Sequence, residues 1–428
     1  MANEVTMEFV QGMPKAELHL HIEGSLEPEL KLALAQKNHV DIGQSTIEEV
    51  RKSYQYDDLA SFLAVYYPAM NVLQTEDDFY DLAMAYLKHA KEENVRHVEI
   101  FFDPQAHTSR GIAFETFIKG LYRATVDARA MNIDARLIMC FLRDLSRESA
   151  RKTLEEALPY KDMFIGVGLD SDEHNNPPMK FFPVFVEAEK AGLRLTAHAD
   201  IDQKDSIEHI RDLLEVIGVE RIDHGTNIVE DPDLVDYAVK HQIGFTSCPL
   251  SNSFVRPEMK GPEIKELLEK GAKICINSDD PAYFGGYISK NYYELARQFD
   301  LTKEQVVQLA RNSFEASWIS EESHRCQCLL PFRLPRLTAD SDLPRSPVRD
   351  GRMALLLQDA SDSHSQVPTL HPCLAPQRAY NSRFSIAASF LLYISCRCLF
   401  IVSCHLYVPR LLFHFLFSYD HLHRSQYS

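Results

Sequence analysis

From Ser323 to Ser428 the chain contains no glutamate and no lysine, although 11 arginines and 6 aspartates lie in those 106 residues. Losing the two common solubilising helix formers together is what translated non-coding or frame-shifted sequence would show, and argues against an evolved helical domain there. Residues 1–322 have the opposite balance, 34 Lys and Arg against 56 Asp and Glu, a net of −22, while the tail is +5. The basic excess that a nucleic-acid or anionic-membrane surface needs is missing at a net charge of −17, so neither partner is expected. Also missing is an uncharged run of the ~18 residues that a membrane span requires. Arg397 and Arg410 interrupt the apolar stretch FSIAASFLLYISCRCLFIVSCHLYVPRLLFHFLF, so a tail anchor ranks below an unstructured or artefactual extension. The start, MANEVTMEFVQGMPKAELH, has no basic segment followed by an apolar run, and the expected compartment is the cytoplasm, with the nucleus open to it. No Gly-rich phosphate loop and no Pro-Cys-x-x-Cys zinc motif occurs. Cys140, Cys248 and Cys275 sit in apolar runs and read as reduced core thiols. The Cys-x-Cys pairs Cys326/Cys328 and Cys396/Cys398 read as incidental.

What the first 322 residues do contain is a regular alternation. Eight apolar runs of strand length, AELHLHI, VRHVEIFFD, ARLIMCFL, FIGVGLD, RLTAHA, RIDHG, GFTSC and KICINSD, are separated by amphipathic segments such as TEDDFYDLAMAYLKHAKEEN and GPEIKELLEKG. Eight buried strands with helices between them predict an α/β fold, a (β/α)8 barrel of the TIM type, over residues 1–322. Residues 323–428 are expected to be an atypical, poorly ordered tail that adds no site residue. The segment from His39 to Leu73 is a longer helical excursion, expected to lie as a lid over one end of the barrel.

Active-site residues of such barrels collect at the C-terminal ends of the strands. His19 and His21 close the first strand, His198 the fifth, His224 the sixth, and Asp279 with Asp280 the eighth. His19 and His21, two apart in a strand, share a face. His-x-His alone is more often a hydrogen-bonded pair than a metal site, but chance would scatter His and Asp over both ends of the barrel. Imidazole and carboxylate donors suit zinc, with iron or manganese allowed by the donor set. Three histidines and an aspartate leave the open position a catalytic zinc needs, and His224 is then cast as the group that orients the attacking hydroxide. Read alone, His224 could equally be a satisfied core histidine.

With these residues assembled, the chain resembles the adenosine and adenine deaminase family over about residues 8–320. The motifs are PKAELHLHIEGSLEPEL, GLDSDE, TAHA, RIDHG, CPLSN and NSDDPAYFGGY, and EIFFDPQAHTSRG with SDDPAYFGGY places the likeness nearer the adenine deaminases. The resemblance implies that His19, His21, His198 and Asp279 hold one Zn2+ per chain. It implies that His224 serves the hydroxide, that Asp280 hydrogen-bonds purine N7, and that the backbone at Ser171 donates to purine N3. Glu23 falls where adenosine-specific relatives contact ribose, and its longer side chain suits a free base. The implied activity is hydrolytic deamination of adenine to hypoxanthine and ammonia, in purine salvage, with a small-molecule purine as partner. Oligomeric state is left open.

One departure stands out. The family's His-Ala-Gly-Glu places a proton donor three residues after the third histidine; here the run is His198-Ala199-Asp200-Ile201-Asp202, with isoleucine in that place. Asp200 or Asp202 is the expected substitute, Asp202 preferred for its freer reach. The same stretch also reads as a solvated turn before the next helix. The alternatives are a deaminase of adenosine or an N6-substituted adenine, and a catalytically silent purine- or metal-binding homologue.

Overall fold

The computed structural model describes residues 4–199 and 203–319. Eight parallel strands follow one another in sequence order: β1 (Lys15–His21), β2 (Val95–Phe102), β3 (Asp134–Leu142), β4 (Gly166–Asp170), β5 (Arg194–Ala199), β6 (Arg221–His224), β7 (Gly244–Ser247) and β8 (Lys273–Ile276). Each expected strand is present, and the fold is a (β/α)8 TIM-type barrel. Its strands are almost wholly buried because helices cover the outer face, which is why they read as continuous apolar runs. Cys140, Cys248 and Cys275 are buried free thiols, as expected. Among the described residues no helix is long and apolar enough to cross a membrane.

The barrel closes differently at its two ends. Near the C-terminal rim, His21 N donates to the Asp279 carbonyl (3.0 Å) and Asp279 N to the His19 carbonyl (3.1 Å). Lower down side chains do the pairing: Leu18 N donates to Asn277 Oδ1 (2.7 Å) and Ala16 N to Ser313 Oγ (2.9 Å), the latter from the helix Lys303–Glu315. The β1–β2 register slips between Glu17 and Leu20. Below the slip Ala16 pairs with His97, and above it His21 pairs with Phe101, so the inward-facing set changes from even to odd positions. Glu17 is thereby turned outward to Tyr86 and Ser278.

The N-terminal end is plugged by the residues that follow the helix Lys303–Glu315. Trp318 is the only tryptophan of the chain. It lies so close to Gly166 that a Cβ there would stand 2.7 Å from the indole, and Ala316 similarly fills the space at Gly244. The Arg221 guanidinium stacks 4.2 Å from the Trp318 ring centroid.

At the opposite end the helix Leu59–Ala69, started by Asp58 as an N-cap in a capping box, supplies the expected lid. Phe62, Leu63, Tyr66 and Tyr67 from it line the cavity below. Tyr67 Oη donates to Ser171 Oγ (3.2 Å) and Tyr56 Oη to the Tyr283 carbonyl, fixing the lid at two points.

Candidate active site

The strand ends bring the sequence-selected residues to one place. His19, His21, His198 and Asp279 are all buried, and one potential ligand atom from each lies within 4.8 Å of the others. His21 Nε2 and His198 Nε2 are 3.1 Å apart. Asp279 Oδ1 is 3.2 Å from His19 Nε2 and 3.4 Å from His21 Nε2, while Oδ2 is 3.6 Å from His224 Nε2. His19 Nε2 is buried, and the group it meets is the Asp279 carboxylate. Imidazole nitrogens converging on one another without donors between them are costly unless something electrophilic sits there, and the set fits a metal ion.

The electrostatics favour the neutral imidazole at three of the four histidines. Burial pushes His21 down to about 4, and burial with the neighbouring imidazoles pushes His198 well below its usual range. Burial also lowers His224. For His19 burial acts downward too, but Asp279 beside it raises the net value. Asp279 is buried, which works against its charge, yet the imidazoles around it hold its carboxyl well below the carboxylate range. Asp280 goes the other way, raised by burial and by the charge of Asp279.

Ser171, His224 and Asp279 are non-glycine residues with φ of 69°, 59° and 65°. Left-handed backbone costs about 1–3 kcal/mol at such residues, and it recurs at functional sites. Three strand ends carrying it at one rim concentrate that cost around the metal group.

Behind the histidines lies a layer that sequence reading missed. Asp223, in the same RIDHG run as His224, accepts from Thr196 Oγ1 (2.7 Å) and Thr246 Oγ1 (2.8 Å), and Thr246 Oγ1 pairs with His19 Nδ1 (2.9 Å). Such a chain fixes the tautomer and tilt of a ligand imidazole. Asn252 does the same for His224, its Oδ1 lying 3.2 Å from Nδ1. Phe101 packs against His19 and His21 with ring centroids 5.2 and 5.1 Å apart. Where β4 and β5 part after only two paired residues, Arg143 spans the gap, its N donating to the Asp170 carbonyl (3.0 Å) and its Nη1 to the His198 carbonyl (2.9 Å).

A cavity of about 670 Å3 opens onto this group, lined at its deep end by His21, His198, His224, Asp279 and Asp280. Asp103, Asp170 and Ser171 form one side, and Tyr56, Phe254 and Phe284 the mouth. Glu23 is not among the lining residues; it is buried, with Oε1 2.8 Å from His107 Nε2 and accepting from Asp103 N (3.1 Å). Asp200 and Asp202 lie outside the described residues, while Gln203, which follows them, lines the cavity. Asp103 and Asp170 were findable, since each stands at or just beyond the end of a strand, the rule that selected the histidines.

Barrel and rim together define the class: a hydrolase of the parallel-barrel type with a metal-binding group at the C-terminal face. The chain belongs to the adenosine deaminase family, whose model (Adenosine deaminase) matches residues 14–327, and it is a hydrolase acting on C–N bonds. An adenine deaminase of Trichlorobacter lovleyi is 52% identical over 319 residues, 74% of this chain and 91% of the relative. The crystal structure of an adenine deaminase from Arthrobacter aurescens, 43% identical, superposes with a TM-score of 0.71 over 74% of this chain and 97% of its own. A zinc-bound amidohydrolase structure from Burkholderia ambifaria, 27% identical, gives a TM-score of 0.67 over 76% of this chain and 91% of that one.

Proposed function

We propose that the protein deaminates adenine hydrolytically in purine salvage, releasing hypoxanthine and ammonia, with one zinc ion per chain held by His19, His21, His198 and Asp279. The observation that carries this reading is the convergence of those four side chains, with His224 facing Asp279 from the other side, at the floor of a purine-accommodating cavity. Relatives named adenine deaminase support the substrate, and the zinc-bound neighbour with the donor set supports the metal. Zinc in that place would bring the pKa of a bound water toward neutrality and so make hydroxide available.

The chain's own residues supply the rest. With Asn252 Oδ1 accepting from Nδ1–H, His224 keeps the lone pair of Nε2 turned to the site, where it can orient the attacking oxygen and take up its proton. Burial and the charge of Asp279 both push the Asp280 carboxyl up, which favours the protonated form that can donate to the N7 acceptor of the purine. Ser171, held by Tyr67, lines the same cavity, which supports its backbone as the donor to N3. Attack at C6 requires a proton at N1, and Asp202, with Asp200 as the lesser candidate, supplies it; in the sequence both fall between His198 and Gln203, which line the cavity. The cavity volume exceeds what a bare purine fills, and this favours N6-substituted adenine as a second substrate.

The decisive measurement is ammonia release from adenine, N6-methyladenine and adenosine alongside metal content. Turnover of adenine that tracks about one zinc per chain is expected. Full activity of metal-free protein, or a higher kcat/KM for adenosine, would overturn the reading.

A further inference from the structure

In strand order round the rim, β8 leads to Asp280, β1 to Glu23, β2 to Asp103, β4 to Ser171, β5 ends at His198 and Ala199, and β6 ends at His224. Round a purine, starting at N7, the order is N7, C8, N9, N3, C2, N1 and C6. The proposed assignments follow the same circle: N7 to Asp280, N3 to Ser171, N1 to the side of β5, C6 to the side of His224. They leave N9 without a partner, on the arc of the rim that β1 and β2 form. Two carboxylates stand on that arc, Glu23 fully buried and Asp103 2% exposed.

Their surroundings separate them. Glu23 is turned away, one oxygen committed to His107 Nε2 and to the backbone N–H of Asp103, with Arg110 Nη2 3.1 Å behind at His107 Nδ1. Asp103 lines the cavity, and its buried Oδ1 has no donor of the protein against it, the Asp103 side chain meeting only the neighbouring Asp170 carboxyl. A buried carboxylate oxygen facing a ligand cavity with nothing to accept from is costly, and a donor on the ligand removes that cost. Adenine, with N7 accepting, carries that donor as N9–H; a nucleoside carries ribose there instead.

We infer that Asp103 accepts the N9–H of the free base and is the residue that makes the site select a base over a nucleoside, with Glu23 as the positioning residue that holds Asp103 through its backbone. The inference rests on the proposed purine reaction and adds to it a specificity determinant at a strand end with no assigned role. A site built to hydrogen-bond an N–H rejects analogues that lack it far more strongly than an apolar pocket rejects an extra methyl group.

The test compares kcat/KM for adenine and 9-methyladenine in the full-length, zinc-loaded protein. Wild type should prefer adenine by at least about 100-fold. Asp103→Ala should lose about 100-fold on adenine and less than about threefold on 9-methyladenine, so that the preference collapses while zinc content stays unchanged. Asp103→Asn keeps the shape but offers a neutral acceptor, and should cut the preference about tenfold; it decides the matter alone if the alanine variant does not fold. A preference that survives in either folded variant overturns the inference. If wild type deaminates adenine with no preference over 9-methyladenine, the inference fails and the proposed function stands; if wild type releases no ammonia from adenine, the proposed function itself fails.

Discussion

The barrel buries ionisable side chains at both ends, and the two ends treat them in opposite ways. At the N-terminal floor Glu99 accepts from Arg221 Nη1 (2.6 Å) and from the Trp318 backbone N–H (2.5 Å) and pairs with His97 Nε2 (2.9 Å). His97 Nδ1 pairs in turn with Asp134 Oδ2 (3.1 Å), whose other oxygen meets Arg136 (3.0 Å). Every carboxylate oxygen of that network has a partner inside the protein. At the rim Glu23 Oε2 is buried with no partner, and the Oδ1 atoms of Asp103 and Asp170 have no donor against them, the two carboxyls meeting only each other. Arg221 Nε and Nη2 are left without a hydrogen bond, the guanidinium stacking on Trp318 instead, so the contrast lies in the carboxylates: those of the floor are completed by the chain itself, those of the rim by something that arrives.

That contrast can be broken from either side. The largest effect belongs to the rim. His19→Ala or Asp279→Ala should abolish both metal binding and turnover, seen as loss of zinc by elemental analysis and of ammonia release, while the metal-free protein stays folded. At the floor Arg221→Met takes the guanidinium away from the buried charge of Glu99 and should cost about 3–5 kcal/mol of stability in urea unfolding, with the zinc content of the folded fraction unchanged. Asp202→Asn should lower kcat at least about 100-fold at constant zinc, and Asp200→Asn less; if neither moves kcat, the proton comes from elsewhere.

A smaller effect concerns pH. Glu99 is buried, yet Arg221 holds its carboxyl at about 2 against an ordinary 4.5, so the folded state releases the proton more readily than the unfolded one. The stability this contributes is complete above about 4.5 and is lost as pH falls toward about 2. Burial raises Asp170 from 3.8 to about 7, so the folded state holds its proton longer, and stability should fall as pH rises across that window. Glu99→Gln should flatten the acid limb and Asp170→Asn the neutral limb of a plot of unfolding free energy against pH for metal-free protein; equal slopes would end the comparison. The smallest expected effect is none. We expect a chain ending at Glu322 to keep zinc and kcat while gaining solubility, since residues 323–428 are proposed to add nothing to the site; one ending at Ser317 removes the floor plug and should unfold at lower temperature.

Much of the rim was legible because two simple periodicities meet there. Eight apolar runs give the strands, and counting to the end of each gives His21, His198, His224 and the Asp279 and Asp280 pair. The slip in β1 was not legible: AELHLHI reads as plain alternation, and only pairing with β2 shows that the inward set changes between Glu17 and Leu20. Nor was the commitment of Glu23, since His107 lies 84 residues away and only the fold brings its ring to the carboxylate. Asp103, Asp170 and Asp223 look alike in sequence. What separates an acceptor paired with threonines from one left empty is the burial and company of each oxygen, which spacing does not encode.

Trp318 gives the molecule a single intrinsic chromophore, and its place decides what light can report. Because no other tryptophan occurs in all 428 residues, emission excited at the red edge comes from one indole stacked on Arg221. That indole sits at the end of the barrel remote from the histidines. Purine titrations should leave its spectrum still, whereas loosening of the floor should shift it to longer wavelength before the rim has lost its metal.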